Sequence, residues 1–237
     1  MRMRSTLLLA LAVAALSAGC QQETPKPVEP KPPVVVQQPS APVVTLQTAA
    51  PQATQAIPKA ALQYRSELTR NARVVWGINA PVASFAAQVH QESAWRPGAV
   101  SKVGAAGLAQ FMPATSTWIS GLYPELATNE PYNPSWALRA LVNYDAWLHA
   151  RVKASDPCNR MAFTLSAYNG GLGWVNRDKT LASGKGLDPL VWFESVERVN
   201  AGRSAANWRE NRGYPKRILQ TLEPAYVAAG WGQGICP

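Results

Sequence analysis

Apolar residues recur every three or four positions along much of the chain after residue 58, and this spacing predicts α-helices. The clearest stripe begins with Asn133 and Pro134, residue types that favour a helix cap and a first helical position. Its apolar members are Trp136, Ala140, Leu141, Tyr144, Trp147, Leu148 and Val152. Similar patterns occur at about 60–76, 81–92, 159–168 and 205–228. Patterns typical of strands are scarce, so we expect a single, mainly α domain over 59–237.

The first twenty residues have the pattern of an export signal. Residues 1–4 carry two arginines, residues 7–16 are apolar, and residues 17–19 form a small-residue cleavage site. An apolar run of this length is shorter than the roughly 20 residues that a membrane-spanning helix needs, so a transmembrane anchor is disfavoured. We therefore predict a signal peptide at 1–20 and an exported protein.

Cys20 directly follows the predicted cleavage site. The run LSAGC resembles a bacterial lipoprotein signal, in which the Cys is lipidated and becomes the new N-terminus. The resemblance implies a membrane anchor through Cys20, although Ser17 stands where that family prefers Leu. If the cell is Gram-negative, Gln21 rather than Asp after the Cys implies the outer membrane, with the domain in the periplasm. An ordinary secretory signal with an unmodified Cys20 is the alternative.

Residues 21–58 form a segment of low complexity. The segment contains nine Pro among Val, Gln, Ala and Thr, and it has no Trp, Tyr or Phe. Such a segment buries too little apolar surface to offset its ordering entropy, so we predict a disordered linker rich in polyproline II. At about 3.1 Å per residue, it would reach roughly 100 Å and act as a tether or as a plain spacer.

Charge and cysteine content narrow the function classes. The formal net charge is +9, and a charge of +7 remains on the predicted domain because the linker charges cancel and the signal carries two arginines. This excess favours polyanionic partners. Lys and Arg are scattered and the chain is exported, so we expect no nucleic-acid partner.

The three Cys and two His form no C-x-x-C motif and no cluster, so we expect no metal and no cofactor.

Residues 81–93 carry the first candidate catalytic group. Pro81 suits a first helical position. The apolar stripe that follows consists of Val82, Phe85, Ala86 and Val89. Glu92 extends this stripe, and both burial and the negative end of the helix dipole raise the pKa of a carboxyl placed there. A carboxylic acid that is still protonated near neutral pH can protonate a leaving oxygen. A solvated Glu92 at a frayed helix end is the alternative.

Three blocks of the chain carry recognisable motifs, and the first, residues 92–115, reads ESAWRPGAVSKVGAAGLAQFMPAT. It resembles the lytic transglycosylases of the soluble type (glycoside hydrolase family 23). The family has Glu-Ser, then an Ala-Val-Ser and Gly-x-x-Gly loop, then Gly-Leu-Met-Gln-x-Met-Pro-Ala-Thr. SAYNGG at 166–171 resembles its Ala-Tyr-Asn-Ala-Gly, and ENRGYP at 210–215 resembles its Glu-Thr-x-x-Tyr-Val. The departures include Ala109 for Met and Pro215 for Val. Three blocks in the family's order make the resemblance specific over most of the domain.

The resemblance implies a lysozyme-like fold and cleavage of peptidoglycan glycan strands between N-acetylmuramic acid and N-acetylglucosamine. Glu92 would act as the single acid and base, and the product would carry a 1,6-anhydro ring formed without water. Most glycosidases instead use two carboxyl groups about 5–9.5 Å apart. Beside Glu92, the family blocks contain only one further acidic residue, Glu210.

The resemblance also assigns roles to other side chains. The residues expected to contact substrate are Ser93, Trp95, Ser101, Gln110, Tyr168, Asn169 and Tyr214. Ser101 and Tyr214 are expected near the reacting centre. Ser93 would hold a sugar or cap the helix end, and Trp95 would stack on a sugar ring or shield the acid. Glu210 is expected to give structural support.

The remaining cysteines form a possible pair. If Cys20 carries lipid, Cys158 and Cys236 are left together in an oxidising compartment. We therefore predict a disulfide that ties the C-terminal tail to a central helix.

Two other function classes stay open at this point. A true lysozyme-type hydrolase on the same fold would release products one water heavier than a transglycosylase does. A non-catalytic peptidoglycan-binding lipoprotein would keep the cleft without the activity. The second class is disfavoured because the acid and its expected partners occur together: Glu92, Ser101, Gln110, Tyr168 and Tyr214.

Overall fold

The computed structural model describes residues 56–236, which fold around one hydrophobic core. The predicted signal peptide, Cys20 and residues 21–55 of the predicted linker lie outside the described residues. The helices are α1 Arg65–Trp76, α2 Val82–Ser93, α3 Pro113–Leu122, α4 Pro134–His149, α5 Pro157–Gly170, α6 Leu172–Gly184, α7 Ala205–Lys216 and α8 Glu223–Ala228. Short 3-10 turns lie at Lys59–Tyr64, Pro124–Leu126 and Val196–Arg198. Within 56–236 the only β pairing consists of isolated bridges, so the predicted mainly α class is confirmed.

Helix α2 lies in the middle of the fold. Every residue from Val82 to Val89 is buried, because α1, α8 and the segment Arg217–Leu222 pack around the helix. The sequence predicted only one buried stripe, whereas the polar side chains of Ser84 and Gln88 are also enclosed. The helix begins one residue later than predicted, since Pro81 is the residue before its first turn. Glu92 therefore stands at the end of a rigid element.

Helix α4 begins as its sequence predicts. The Asn133 side chain accepts a hydrogen bond from the Ser135 backbone N–H at 3.0 Å, and Pro134 occupies the first helical position. The helix packs against α1 and α5. Its fully buried residues include Leu141, Asp145 and Leu148, which lie on one face at helical spacing. This face carries a charged residue type into the core.

Two helical segments differ from the prediction. Helix α6 was not predicted, because no helical pattern was identified between residues 168 and 205. In the structure Gly171 has a φ of 93° and only separates α5 from α6. The stretch 205–228 was predicted as one helix, but a π-helical segment at Arg217–Leu222 divides it. Pro215 lies inside α7 just before this segment, where its missing N–H interrupts the α-helical ladder.

The predicted disulfide between Cys158 and Cys236 is present. Cys158 lies in the first turn of α5, and Cys236 follows the last helix, so the bond closes a loop across 78 positions. The backbone N–H groups of Ile235 and Cys236 donate to the buried carboxyl of Glu223. These contacts fix the C-terminal tail to the domain. None of the helices within 56–236 combines the length and the apolar character needed to cross a bilayer.

Candidate active site

Glu92 lines a cleft of about 590 Å³, which is formed by α2, the loop 94–112, α5 and α7. The chain leaves α2 through two consecutive left-handed residues, Ala94 with a φ of 50° and Trp95 with a φ of 63°. The loop then passes Gly107, whose φ is 76° and where a Cβ would lie 1.8 Å from the Pro131 carbonyl oxygen. Only glycine fits there, so this close approach sets the path of one cleft wall.

The pKa of Glu92 is raised to about 8. Burial of the carboxyl is the main cause, the hydrogen bond that Tyr214 Oη donates to Glu92 Oε1 opposes it, and the negative charge of Glu210 adds to it. Tyr214 is itself buried. The raised pKa predicted from the sequence is confirmed, with burial as its dominant cause. At neutral pH this group is a protonated acid facing a cleft.

Three predicted side chains shape the wall nearest to Glu92. Tyr168 lines the cleft and donates from its hydroxyl to the Ala109 carbonyl oxygen at 2.7 Å. Gln110 lines it as well, and its amide nitrogen donates to the carbonyl oxygens of Ala99 and Gly107 at 3.1 and 2.9 Å. Ser101 Oγ accepts from the Ala105 N–H at 2.9 Å. These bonds tie the loop to itself and to α5, so the predicted residues come together around the acid.

The opposite side of the cleft is polar. Asn169 donates from its amide to Glu210 Oε1 at 3.4 Å and accepts from the Asn211 amide at 3.0 Å. Glu210 is exposed and lines the cleft directly, so it faces the acid as well as supporting its neighbourhood. Arg209 and Arg217 also line this side, and neither was singled out from the sequence. Their cationic side chains give the cleft positive charge beside two carboxyl groups.

Two residues named as substrate contacts do not line the cleft: stacking of Trp95 on a sugar is contradicted, and Ser93 has its alternative role at the helix end. Trp95 is fully buried, its ring lies parallel to that of Tyr64 with centroids 5.8 Å apart, and its indole N–H donates to Tyr226 Oη at 2.6 Å. The left-handed backbone at this residue turns the ring into the core, away from any sugar. Ser93 is also buried, and its hydroxyl donates to the Val89 carbonyl oxygen at 3.3 Å, so it closes the helix end.

A second carboxyl group near Glu92 was missed from the sequence. Asp145 is fully buried on α4, and its Oδ1 accepts from the Gln88 amide at 3.4 Å. Burial raises the pKa of Asp145 well above its usual range, the bond from Gln88 opposes the rise, and the charge of Glu92 adds to it. The signal was available: Asp145 lies four residues after Leu141, on the apolar face of α4.

A larger groove lies elsewhere on the domain and carries none of this chemistry. Its volume is about 790 Å³, and Arg65, Arg70 and Arg73 line it along α1 without a carboxyl group. Among residues 56–236 there is also no group of three or more His, Cys, Asp or Glu that would hold a metal ion. The cleft at Glu92 is therefore the candidate active site.

Part of the chain matches a known protein family. Residues 74–190 match the family described as the transglycosylase SLT domain. The membrane-bound lytic murein transglycosylase F of Ectopseudomonas mendocina is 25% identical over 156 residues, which are 62% of this chain and 30% of that protein. The protein of that name from Marinobacter nauticus is 33% identical over 114 residues, which are 48% of this chain and 21% of that protein. The soluble lytic murein transglycosylase of Escherichia coli K12 is 28% identical over 150 residues, which are 62% of this chain and 21% of that protein.

Solved structures show the same fold. The 70 kDa soluble lytic transglycosylase of Escherichia coli has a TM-score of 0.50 and 23% identity, covering 72% of this chain and 25% of that one. An inactive variant of the lytic transglycosylase Slt of Pseudomonas aeruginosa has a TM-score of 0.52 and 22% identity, covering 74% and 26%. This chain spans less than a third of the length of these relatives. Residues 74–190 of this chain are thus similar to the transglycosylase SLT domain, and the solved structures share its fold.

Proposed function

We propose that this chain is a peptidoglycan lytic transglycosylase that cleaves the β-1,4 bond between N-acetylmuramic acid and N-acetylglucosamine. The observation that carries the proposal is the carboxyl of Glu92, which faces a cleft with its pKa raised to about 8. A group with that pKa is protonated at neutral pH and ready to act as a general acid. The relatives named lytic murein transglycosylases support the same activity.

In the first step, Glu92 donates its proton to the glycosidic oxygen as the bond from C1 of the muramic acid to that oxygen breaks. The N-acetyl group of the substrate stabilises the cationic centre at C1. The hydroxyl of Tyr214 donates to Glu92 Oε1, which holds the carboxyl in place and stabilises it once it is negative. In the second step, the Glu92 carboxylate takes the proton of the C6 hydroxyl. The C6 oxygen then bonds to C1, and a 1,6-anhydro ring forms without water.

The other residues of the cleft shape and bind the glycan. The Tyr168 hydroxyl and the Gln110 amide donate hydrogen bonds to backbone carbonyl oxygens. These two residues therefore fix the position of the cleft wall. Ser101 Oγ accepts a backbone N–H and keeps its own hydrogen for a sugar oxygen. Asn169 and Glu210 present amide and carboxylate groups to sugar hydroxyls on the other side.

We further propose that the protein acts outside the cytoplasm, anchored to a membrane by lipidated Cys20. The disulfide between Cys158 and Cys236 is typical of an oxidising compartment, which supports export. Several relatives carry the name membrane-bound. In this arrangement residues 21–58 would let the domain reach glycan strands roughly 100 Å from the anchor. The outer membrane of a Gram-negative cell is the proposed location, as Gln21 implies.

The test is the mass of the soluble products released from purified peptidoglycan by the purified chain. Anhydro-muropeptides that disappear with Glu92→Gln would support the proposal. Products one water heavier would contradict it and identify a lysozyme-type hydrolase. If the folded protein binds peptidoglycan and releases nothing, it is a wall-binding protein. Glu125→Gln is a matched control, because Glu125 is an exposed carboxyl that does not line the cleft, and it is expected to leave the products unchanged.

A further inference from the structure

Asp145 and Gln88 form a pair in the interior between α4 and α2. Asp145 has no exposed surface, and Gln88 is 1% exposed. The Gln88 amide nitrogen donates to Asp145 Oδ1 at 3.4 Å. Among residues 56–236, Asp145 Oδ2 and Gln88 Oε1 have no hydrogen-bond partner. Each member of the pair therefore buries one acceptor that lacks a donor.

A single proton would satisfy both acceptors. A protonated carboxyl has one donor and one acceptor on its edge, and so does a primary amide, so the two groups are complementary. With the proton on Asp145 Oδ2, that oxygen can donate to Gln88 Oε1 while the existing bond runs the other way. An ionised Asp145 would leave both acceptors unpaired and bury a charge, which is far more costly. The two unpaired atoms thus indicate a neutral Asp145.

The surroundings of Asp145 favour the neutral form as well. Helix α1, which packs against α4, contributes only Leu68, Asn71 and Ala72 to the buried residues. The titratable groups whose charge interacts with that of Asp145 are Glu92 of α2, Tyr144 of α4, Tyr168 of α5 and Tyr214 of α7. All of them are acids. No cation among these groups compensates a second negative charge at this position.

The pair lies one helical turn from the candidate catalytic acid. Gln88 and Glu92 are four residues apart on α2, so their side chains lie on the same face one turn apart. A fixed contact between Gln88 and α4 therefore limits the rotation and sliding of the last turn of α2. In the proposed reaction, Glu92 becomes negative when it gives up its proton. A second carboxylate nearby would oppose that step, whereas a neutral one does not.

We propose that Asp145 is a positioning residue for Glu92. Its neutral carboxyl is paired with Gln88, and this contact holds α2 against α4 one turn before Glu92. Because Asp145 is neutral, Glu92 carries the only negative charge among these buried groups once it has lost its proton. This role rests on the proposed function, since it concerns the reaction of Glu92. The carboxyl of Asp145 is enclosed and does not reach substrate, so it is not a second catalytic group.

An infrared measurement tests the protonation state without using the activity. Glu92→Gln and Glu92→Gln/Asp145→Asn are compared at pH 7 by their difference spectrum. We expect a protonated-carboxyl C=O band that is present in the first variant and missing in the second. Loss of carboxylate bands in place of the C=O band, or no difference, would overturn the proposal. If Glu92→Gln still releases muropeptides, the proposed function fails whatever this spectrum shows, so the two failures are distinguishable.

A kinetic experiment tests the positioning role. Asp145→Ala and Gln88→Leu each remove one half of the pair, and we expect kcat to fall roughly tenfold to a hundredfold with little change in KM, as for a small displacement of a catalytic group. Asp145→Asn should recover most of the loss, because its amide is a neutral donor and acceptor. If Asn rescues no better than Ala, Asp145 acts through a negative charge and the proposal is wrong.

The two halves of the pair also provide an internal check. The double variant Gln88→Leu/Asp145→Ala should lose little more activity than either single variant, since both remove the same contact. Independent, multiplying losses would contradict the pairing. Asp156→Asn is the matched control, because Asp156 is an exposed aspartate that caps α5 outside the cleft. Thermal unfolding of every variant identifies any that fails to fold, and the infrared result then decides the question alone.

Discussion

The raised pKa of Glu92 has a consequence for stability that Glu92→Gln makes measurable. The fold raises this pKa from 4.5 to about 8, so the folded protein holds the proton more tightly than the unfolded chain does. Below pH 4.5 Glu92 is protonated in both the folded and the unfolded state, so it does not lower the free energy of unfolding. That free energy falls as the pH rises from 4.5 towards 8. Gln is neutral at every pH and loses nothing.

The size of the effect follows from the same shift. Each pH unit between 4.5 and 8 lowers the free energy of unfolding of the wild type by about 1.4 kcal/mol relative to Glu92→Gln. At pH 7 the full shift gives about 3 kcal/mol in favour of the variant. Because the side chain of Glu92 is partly exposed, water screens some of this cost, and we expect about 1 to 3 kcal/mol.

The assay is urea unfolding of both proteins at several pH values from 4 to 8, with the difference in free energy plotted against pH. The difference should be small at pH 4 and grow steadily up to about pH 8. Asp156→Asn is the control: the pKa of Asp156 is lowered by bonds from Asn159, so its contribution changes only at acid pH. A Glu92→Gln difference that stays flat between pH 5 and 8 would refute the assignment of Glu92 as a buried neutral acid.

Three further predictions concern neighbouring features. Tyr214→Phe removes a donor that stabilises the Glu92 carboxylate, so the alkaline limb of the pH–rate profile should move up by about one unit, and an unmoved limb would contradict the contact. Trp95→Ala should lower the free energy of unfolding by about 3 to 5 kcal/mol in urea titrations, whereas a cost below about 1 kcal/mol would place the ring at the surface. Reduction of Cys158–Cys236 should cost about 2 to 4 kcal/mol, measured as urea unfolding with and without dithiothreitol, and equal midpoints would mean that the bond is absent in solution.

The acid, its tyrosine partner and most of the cleft could be predicted from the sequence. Glu92 extends an apolar helical stripe, which favours a carboxyl facing the core at a helix end but leaves a solvated helix end as the alternative. Ser101, Tyr168 and Tyr214 follow from short blocks whose order matches a known family. Helices α1, α2, α4 and α5 were predictable from the same periodicity, and α4 carries both a long stripe and its own cap.

What could not be predicted depends on backbone turns and on contacts between distant helices. Trp95 stands next to the acid in a loop, and nothing in the residue order shows that two left-handed residues rotate its ring into the core. Asp145 carries a visible signal, a polar residue on an apolar face. Its relation to Gln88 appears only once α2 and α4 are packed, because the two residues are 57 positions apart.

Two departures from the family pattern, at positions 170 and 211, are explained by one contact in the structure. Gly170 stands where the family has Ala, and Asn211 stands where it has Thr. A Cβ at position 170 would lie 2.6 Å from the Asn211 amide nitrogen, so the larger side chain at 211 requires the smaller residue at 170. In that space the Asn211 amide donates to the Ser166 carbonyl oxygen at 2.9 Å and to the Asn169 side chain at 3.0 Å, which sets the cleft wall between α5 and α7. The Asn211 amide thus joins two of the family blocks and holds a cleft residue in place, and Asp145 with Gln88 holds the acid from behind. In both cases a polar pair in the interior fixes the geometry on which the proposed chemistry of Glu92 depends.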